Sequence, residues 1–106
     1  MDKAKVITIC GSLRFLDEIK FHSARLELEG NCVLSIVYLM KEDKDDYTPE
    51  ELQLLNKLHN QRIEMSDAIF VVNVDGYIGS GTQKEIEYAR KLNKEIIYLE
   101  PVREVE

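Results

Sequence analysis

Apolar runs and amphipathic stretches alternate along this chain from end to end. Lys5–Cys10 (Lys-Val-Ile-Thr-Ile-Cys) is rich in β-branched residues and predicts a strand, ended by Gly11-Ser12. From Leu13 to about Glu29, apolar positions including Leu13, Ile19, Ala24, Leu26 and Leu28 predict a helix, closed by Gly30-Asn31. Cys32–Leu39 is nearly continuous in apolar residues, as expected of a strand covered on both faces. The charged stretch Lys41–Tyr47 reads as a solvated connector or a lid. Thr48-Pro49-Glu50-Glu51 then opens a helix: threonine at the cap, proline at the first helical position, and a glutamate that completes a capping box. That helix runs to about Met65. Ala68–Val74 predicts a third strand, Gly79-Ser80-Gly81 a turn, and the following residues to Leu92 a third helix that Asn93-Lys94 ends. Glu95–Leu99 is a fourth strand before Pro101.

The order β-α-β-α-β-α-β implies an α/β fold in a single domain spanning residues 1–106. The expected architecture is a small Rossmann-like three-layer sandwich, with a four-stranded parallel sheet in the order 2-1-3-4 and right-handed crossovers. In that order the chain changes direction between strands 1 and 3, and a ligand crevice opens at their carboxyl ends. Two turns would line it: Gly11-Ser12-Leu13-Arg14 after strand 1, and Asp75–Glu85 after strand 3.

Composition narrows the choice of partner. A formal net charge of −6 argues against nucleic acid as the main partner, though a small anionic ligand needs only a local cluster of donors. No apolar run approaches a membrane span, and the amino terminus passes straight into a strand, which reads as a cytoplasmic protein without a signal peptide. Cys10 and Cys32 both fall in apolar strands and are expected to be buried and reduced. Neither forms a zinc pattern, and no metal or other cofactor is implied.

The candidate chemistry sits at the two turns. Gly11 lets backbone approach a ligand, Ser12 offers a hydroxyl, and Arg14 a planar fork suited to phosphate. The plainer alternative is a glycine turn with Ser12 capping a helix. Gly79, Ser80 and Gly81 precede a helix start, where free backbone N–H groups favour an anion. Glu85 lies beside that cradle and reads in two ways. It is a carboxylate that does chemistry on the bound molecule, or it is the last member of a Thr82-Gln83-Lys84-Glu85 capping box. Asn73 and Asp75 could meet a base or sugar, or simply form an Asp-Gly turn. His59 and Arg62 share one helix face, as do His22 and Arg25, and read as half-buried structural histidines.

Taken together, Cys10-Gly11-Ser12-Leu13-Arg14 and Gly81-Thr82-Gln83-Lys84-Glu85-Ile86-Glu87-Tyr88-Ala89 resemble segments of the nucleoside 2-deoxyribosyltransferase superfamily. That superfamily includes the 2′-deoxynucleoside 5′-phosphate N-hydrolases. Ser66-Asp67 leading into a strand is also similar. The resemblance implies cleavage of the N-glycosidic bond of a nucleoside or nucleoside 5′-monophosphate, with Glu85 as nucleophile and Asp75 helping to protonate the base. It implies that Ser12, Arg14, Ser80 and the Gly79–Gly81 backbone hold a 5′-phosphate, with Gly11 also in the substrate-binding site, and that Asn73 or Asp75 faces the base. It further implies a homodimer or higher homo-oligomer whose site a neighbouring chain completes. The superfamily's strand-1 tyrosine matches Thr8 here, and its aspartate six residues before the nucleophile matches Gly79; Tyr38, Tyr47, Tyr77 or a partner's residue would have to substitute. A nucleotide-binding or sensing module without turnover is the alternative.

Overall fold

The computed structural model describes residues 3–36 and 46–102. Its elements follow the expected alternation: β1 (Val6–Gly11), α1 (Leu16–Leu28), β2 (Cys32–Leu34), α2 (Pro49–Met65), β3 (Ala68–Val72), α3 (Ser80–Lys91) and β4 (Glu95–Tyr98). The four strands form one parallel sheet in the order β2-β1-β3-β4. β1 lies between β2 and β3, pairing Val6 with Cys32 and Ile7 with Ala68, while Ala68 pairs onward with Glu95.

Side chains alternate across a strand, so each strand feeds two cores. Ile7 and Ile9 of β1 join Ala68, Phe70 and Val72 of β3 beneath Ile19 and Leu26 of α1. On the opposite face Cys10, Ile69 and Val71 pack against Ile63 of α2 and against Ile86 and Ala89 of α3. Thr8 shares that second face, and its hydroxyl donates to the Arg62 carbonyl at 2.9 Å. Glycine suits the point where β1 passes β3 closely, since a Cβ at Gly11 would lie 3.2 Å from the Val72 Cβ and 3.3 Å from the Val72 carbonyl oxygen, tighter than ordinary contact.

Local signals behave as their chemistry dictates at α2. The Thr48 side chain accepts from the Glu51 N–H, and the Glu51 carboxylate accepts in return from the Thr48 N–H, with Pro49 at the helix start. The chain after β1 departs from expectation. Leu13–Phe15 form a short 3-10 turn capped by Ser12, and the α-helix begins only at Leu16. Of the apolar positions in α1, Ile19 and Leu26 are buried, whereas Leu28 is 90% exposed. β2 ends at Leu34, and residues 37–39 of the expected longer strand, like 41–45 of the charged stretch, lie outside the described residues. Cys32 was expected to be buried and is exposed, because it opens a three-residue edge strand; both cysteines are free. No helix among the described residues is long and apolar enough to cross a membrane.

Candidate functional site

A cavity of about 520 Å³ opens at the carboxyl ends of β1 and β3, where the strand order reverses. One wall is the turn after β1, with Gly11, Ser12 and Arg14. A second is the start of α3, Gly79 to Thr82, with Glu85 one turn further in. The third is the face of α2 carrying Leu52, Leu55, Asn56 and His59, spaced as one helical stripe.

The start of α3 decides how Glu85 is used. The helix begins at Ser80 with Gly79 as its cap, and the Gln83 N–H bonds to the Gly79 carbonyl at 2.9 Å. Thr82 is therefore inside the first turn rather than at the cap, and Glu85 stands in the second turn. The Thr82–Glu85 capping box does not form. Gly79 offers no side chain to close the helix end, so no side-chain cap bond forms there. Thr82, Ile86 and Ala89 form the buried stripe of α3, and Glu85 lies on the same side of the helix. Its side chain retains 22% of its exposure, directed into the cavity.

Beneath the cavity Glu85 meets two side chains from distant parts of the chain. His59 Nε2 lies 3.7 Å from Glu85 Oε1 and 3.5 Å from Cys10 Sγ, and Cys10 is fully buried. Cys10 arrives here because β1 turns every second side chain toward α2 and α3, and Cys10 is the last of these before the cavity. Burial pushes the Glu85 carboxyl up to about 7, opposed by its hydrogen bond with Cys10. Burial, reinforced by the Arg62 guanidinium, pulls His59 down to about 4. The His59–Glu85 approach is therefore not an ion pair: the imidazole is neutral wherever the carboxylate is ionised. Burial and the nearby Glu85 raise the Cys10 thiol well above its ordinary value, so it stays protonated.

Cys10, His59 and Glu85 are the described residues whose donor atoms converge as a metal would require, all within 4.8 Å of one another. The surroundings do not suit a cation. A metal-bound histidine ordinarily donates its other ring N–H to an acceptor. Here the group at His59 Nδ1 is Arg62 Nη1, at 3.4 Å, and a guanidinium has nothing to accept with.

At the cavity mouth the Arg14 guanidinium lies 4.0 Å from the centre of the Tyr77 ring, which in turn meets Phe15 edge-on. This stacking holds the planar fork beside the turns at Ser12 and Gly79–Gly81. Ser12 also serves locally, accepting from the Arg14 N–H at 3.4 Å.

Two expected site residues lie elsewhere. Asn73 is buried, and its amide is spent on Glu100: Nδ2 donates to the Glu100 carbonyl at 3.0 Å and Oδ1 accepts from the Glu100 N–H at 2.9 Å. Asp75 is exposed in the 3-10 turn Val74–Gly76, with a φ of 55° and its N–H bonded to the Glu100 carboxylate. Neither lines the cavity. The Asp-Gly turn that their local sequence also suggested is what forms. His59 was the residue sequence reasoning undervalued. Its position on the stripe Leu52-Leu55-Asn56-His59, a polar group at the end of an apolar helix face, was the available signal. Compared with protein-family models and with curated proteins, the chain matches none.

Proposed function

We propose that this protein cleaves the N-glycosidic bond of a nucleoside or nucleoside 5′-monophosphate, as a hydrolase or an N-deoxyribosyltransferase-like enzyme with Glu85 as nucleophile. The observation that carries this reading is the direction of Glu85, which faces an open cavity instead of folding back on its own helix. The same cavity brings Ser12, Arg14 and the amides at the start of α3 to one end, where an anionic group of the substrate would sit. The apolar side chains of Leu52 and Leu55 line another wall, an apolar surface suited to a heterocycle.

In this mechanism the Glu85 carboxylate attacks the anomeric carbon as the C–N bond breaks. The bond's electron pair leaves with the base, which takes a proton from water. The carboxylate stabilises the oxocarbenium-like charge and traps it as an ester. Water, or a second base, then attacks the same carbon and gives up its proton to the hydroxide left by the first step, and Glu85 departs as a carboxylate. Glu85 is the sole carboxylate lining the cavity among the described residues, so it takes the nucleophile's role and Asp75 takes no part. A homo-oligomer belongs to the same proposal.

One observation favours the second reading, a nucleotide-binding module without turnover. Thr8 stands where the resembled superfamily has a tyrosine, and its hydroxyl is buried against the Arg62 carbonyl, away from the cavity. Tyr77 is the described tyrosine that reaches the cavity. Incubation with each nucleoside and deoxynucleoside 5′-monophosphate, followed by chromatography for free base, separates the two. Release that disappears in Glu85→Ala supports the enzyme, whereas saturable binding without release supports the module.

A further inference from the structure

We propose that Cys10 is a positioning residue for Glu85, the final donor in a one-way hydrogen-bond chain that runs from Arg62 through His59 and Cys10 to the carboxylate. The inference deepens the reading of Glu85 as the reactive group, yet the chain itself is measurable without any substrate.

The direction of the chain follows from what each group can donate. A guanidinium donates and never accepts, so Arg62 Nη1 at 3.4 Å assigns the lone pair to His59 Nδ1. The neutral imidazole then carries its proton on Nε2. From there two acceptors are near. The Cys10 sulfur at 3.5 Å lies within the reach of a sulfur hydrogen bond, while Glu85 Oε1 at 3.7 Å is beyond an ordinary N–H···O bond. With its sulfur accepting from His59, the thiol's single proton is left for the Glu85 carboxylate, one oxygen of which lies within 4.8 Å of the sulfur in the same buried cluster. Cys10 is fully inaccessible and His59 6% exposed, so water does not compete for these bonds.

The arrangement assigns Cys10 a role distinct from the usual ones. It is not a nucleophile, because burial and Glu85 both keep the thiol protonated. It is not a metal ligand, because Arg62 occupies the place where a bound histidine needs an acceptor. What the thiol does is hold the inner side of the carboxylate from below and favour its ionised form against the burial that opposes it. The groups facing Glu85 are Cys10 from β1, His59 with Arg62 behind it from α2, and Arg14 across the cavity from the turn after β1.

Two NMR readouts on the full chain test the chain of donors. Long-range nitrogen–proton spectra of the imidazole should show His59 as the Nε2–H tautomer, and the Nδ1–H tautomer would overturn the proposal. Carbon-13 titration of the Glu85 carboxyl, assigned by its loss in Glu85→Gln, should give a midpoint that rises by about one unit in Cys10→Ala and returns close to wild type in Cys10→Ser. A midpoint unmoved or lowered in Cys10→Ala would overturn it. Should Cys10→Ala not fold, His59→Gln breaks the chain one step earlier and should move the midpoint in the same direction by less; no movement there counts against the proposal. Titration with zinc chloride should show no stoichiometric site, and tight binding lost in both Cys10→Ser and His59→Gln would replace the donor chain with a metal centre. If both spectra agree while no nucleotide releases its base, the donor chain stands and the glycosidase reading falls.

Discussion

Two histidine–arginine pairs with the same spacing lie on opposite faces of the sheet. In α1, Arg25 Nε donates to His22 Nδ1 at 3.1 Å; in α2, Arg62 Nη1 lies 3.4 Å from His59 Nδ1. The helix supplies this contact in both cases, since residues three apart share a face. The neighbours differ completely. His22 is half-buried between Phe21 and Phe70, with ring centres 5.0 and 5.7 Å away, and Arg25 reaches toward the same Phe70 ring. His59 is buried against a thiol and a carboxylate at the base of a cavity. Identical local chemistry thus ends as packing on one face and as a candidate reactive cluster on the other. The second face differs because α2 and α3 both lean on it, so two helices and a strand end can bring polar groups together where α1 alone brings aromatic rings.

The sharpest break of the comparison is at Glu85. Glu85→Gln is expected to lower base release at least about a thousandfold, read by chromatography, while His22→Gln leaves the rate unchanged. An equal loss in both would erase the distinction between the faces.

Stability should separate them next, with a sign set by burial. The Glu85 carboxyl sits near 7 in the fold against 4.5 outside it, so the native state holds a proton that the unfolded chain has released. Its contribution is full below about pH 4.5 and is lost as pH rises through about 7. Glu85→Gln should therefore be more stable than wild type above pH 7, by on the order of 3 kcal/mol, and equal to it in acid, as read from urea midpoints. His59 has the opposite sign. Its value is lowered from 6.5 to about 4, so the stability of keeping it neutral is present above pH 6.5 and lost as pH falls through about 4. His59→Gln should flatten the acid limb of the stability profile. His22 is lowered by burial too, but less deeply covered, and His22→Gln should flatten that limb only slightly.

Arg14 carries the comparison to the cavity mouth. Arg14→Ala should weaken binding of a nucleoside 5′-monophosphate about tenfold and leave the unphosphorylated nucleoside nearly unaffected, measured calorimetrically. The smallest effect is expected at the other carboxylate after β3. Asp75→Asn keeps a residue that tolerates the positive φ and keeps the backbone bond to Glu100, so activity should hold and stability should change by less than about 0.5 kcal/mol.

Much of the fold was legible because its signals are local. Thr48-Pro49-Glu50-Glu51 capped α2 as expected, and the alternation of apolar strands with amphipathic helices implied the β2-β1-β3-β4 sheet that forms. The site was legible only in part. Gly11, Ser12, Arg14, Gly79, Ser80, Gly81 and Glu85 do line one cavity, since both turns sit at the strand ends where the order reverses. Asn73 and Asp75 misled because an Asp-Gly turn after a strand has the same composition whether it faces a ligand or, as here, ties down Glu100. The capping reading of Thr82-Gln83-Lys84-Glu85 failed for a related reason. A motif of that type names a helix start, but Gly79 allowed the helix to begin three residues earlier.

By itself the amino-acid order determined which segments become strands and helices, their parallel arrangement, and the place where a ligand crevice opens. Periodicity, caps and turn residues act within a few positions of one another, and a linear reading captures them. Only the tertiary structure decided that Cys10, His59 and Glu85 share one buried corner. The first two are separated by 49 positions, and no local rule relates a strand's last inward residue to the polar end of a helix stripe. Packing α2 and α3 side by side over β1 created that corner, and the burial it imposes is what raises one carboxyl, lowers one imidazole and keeps one thiol protonated.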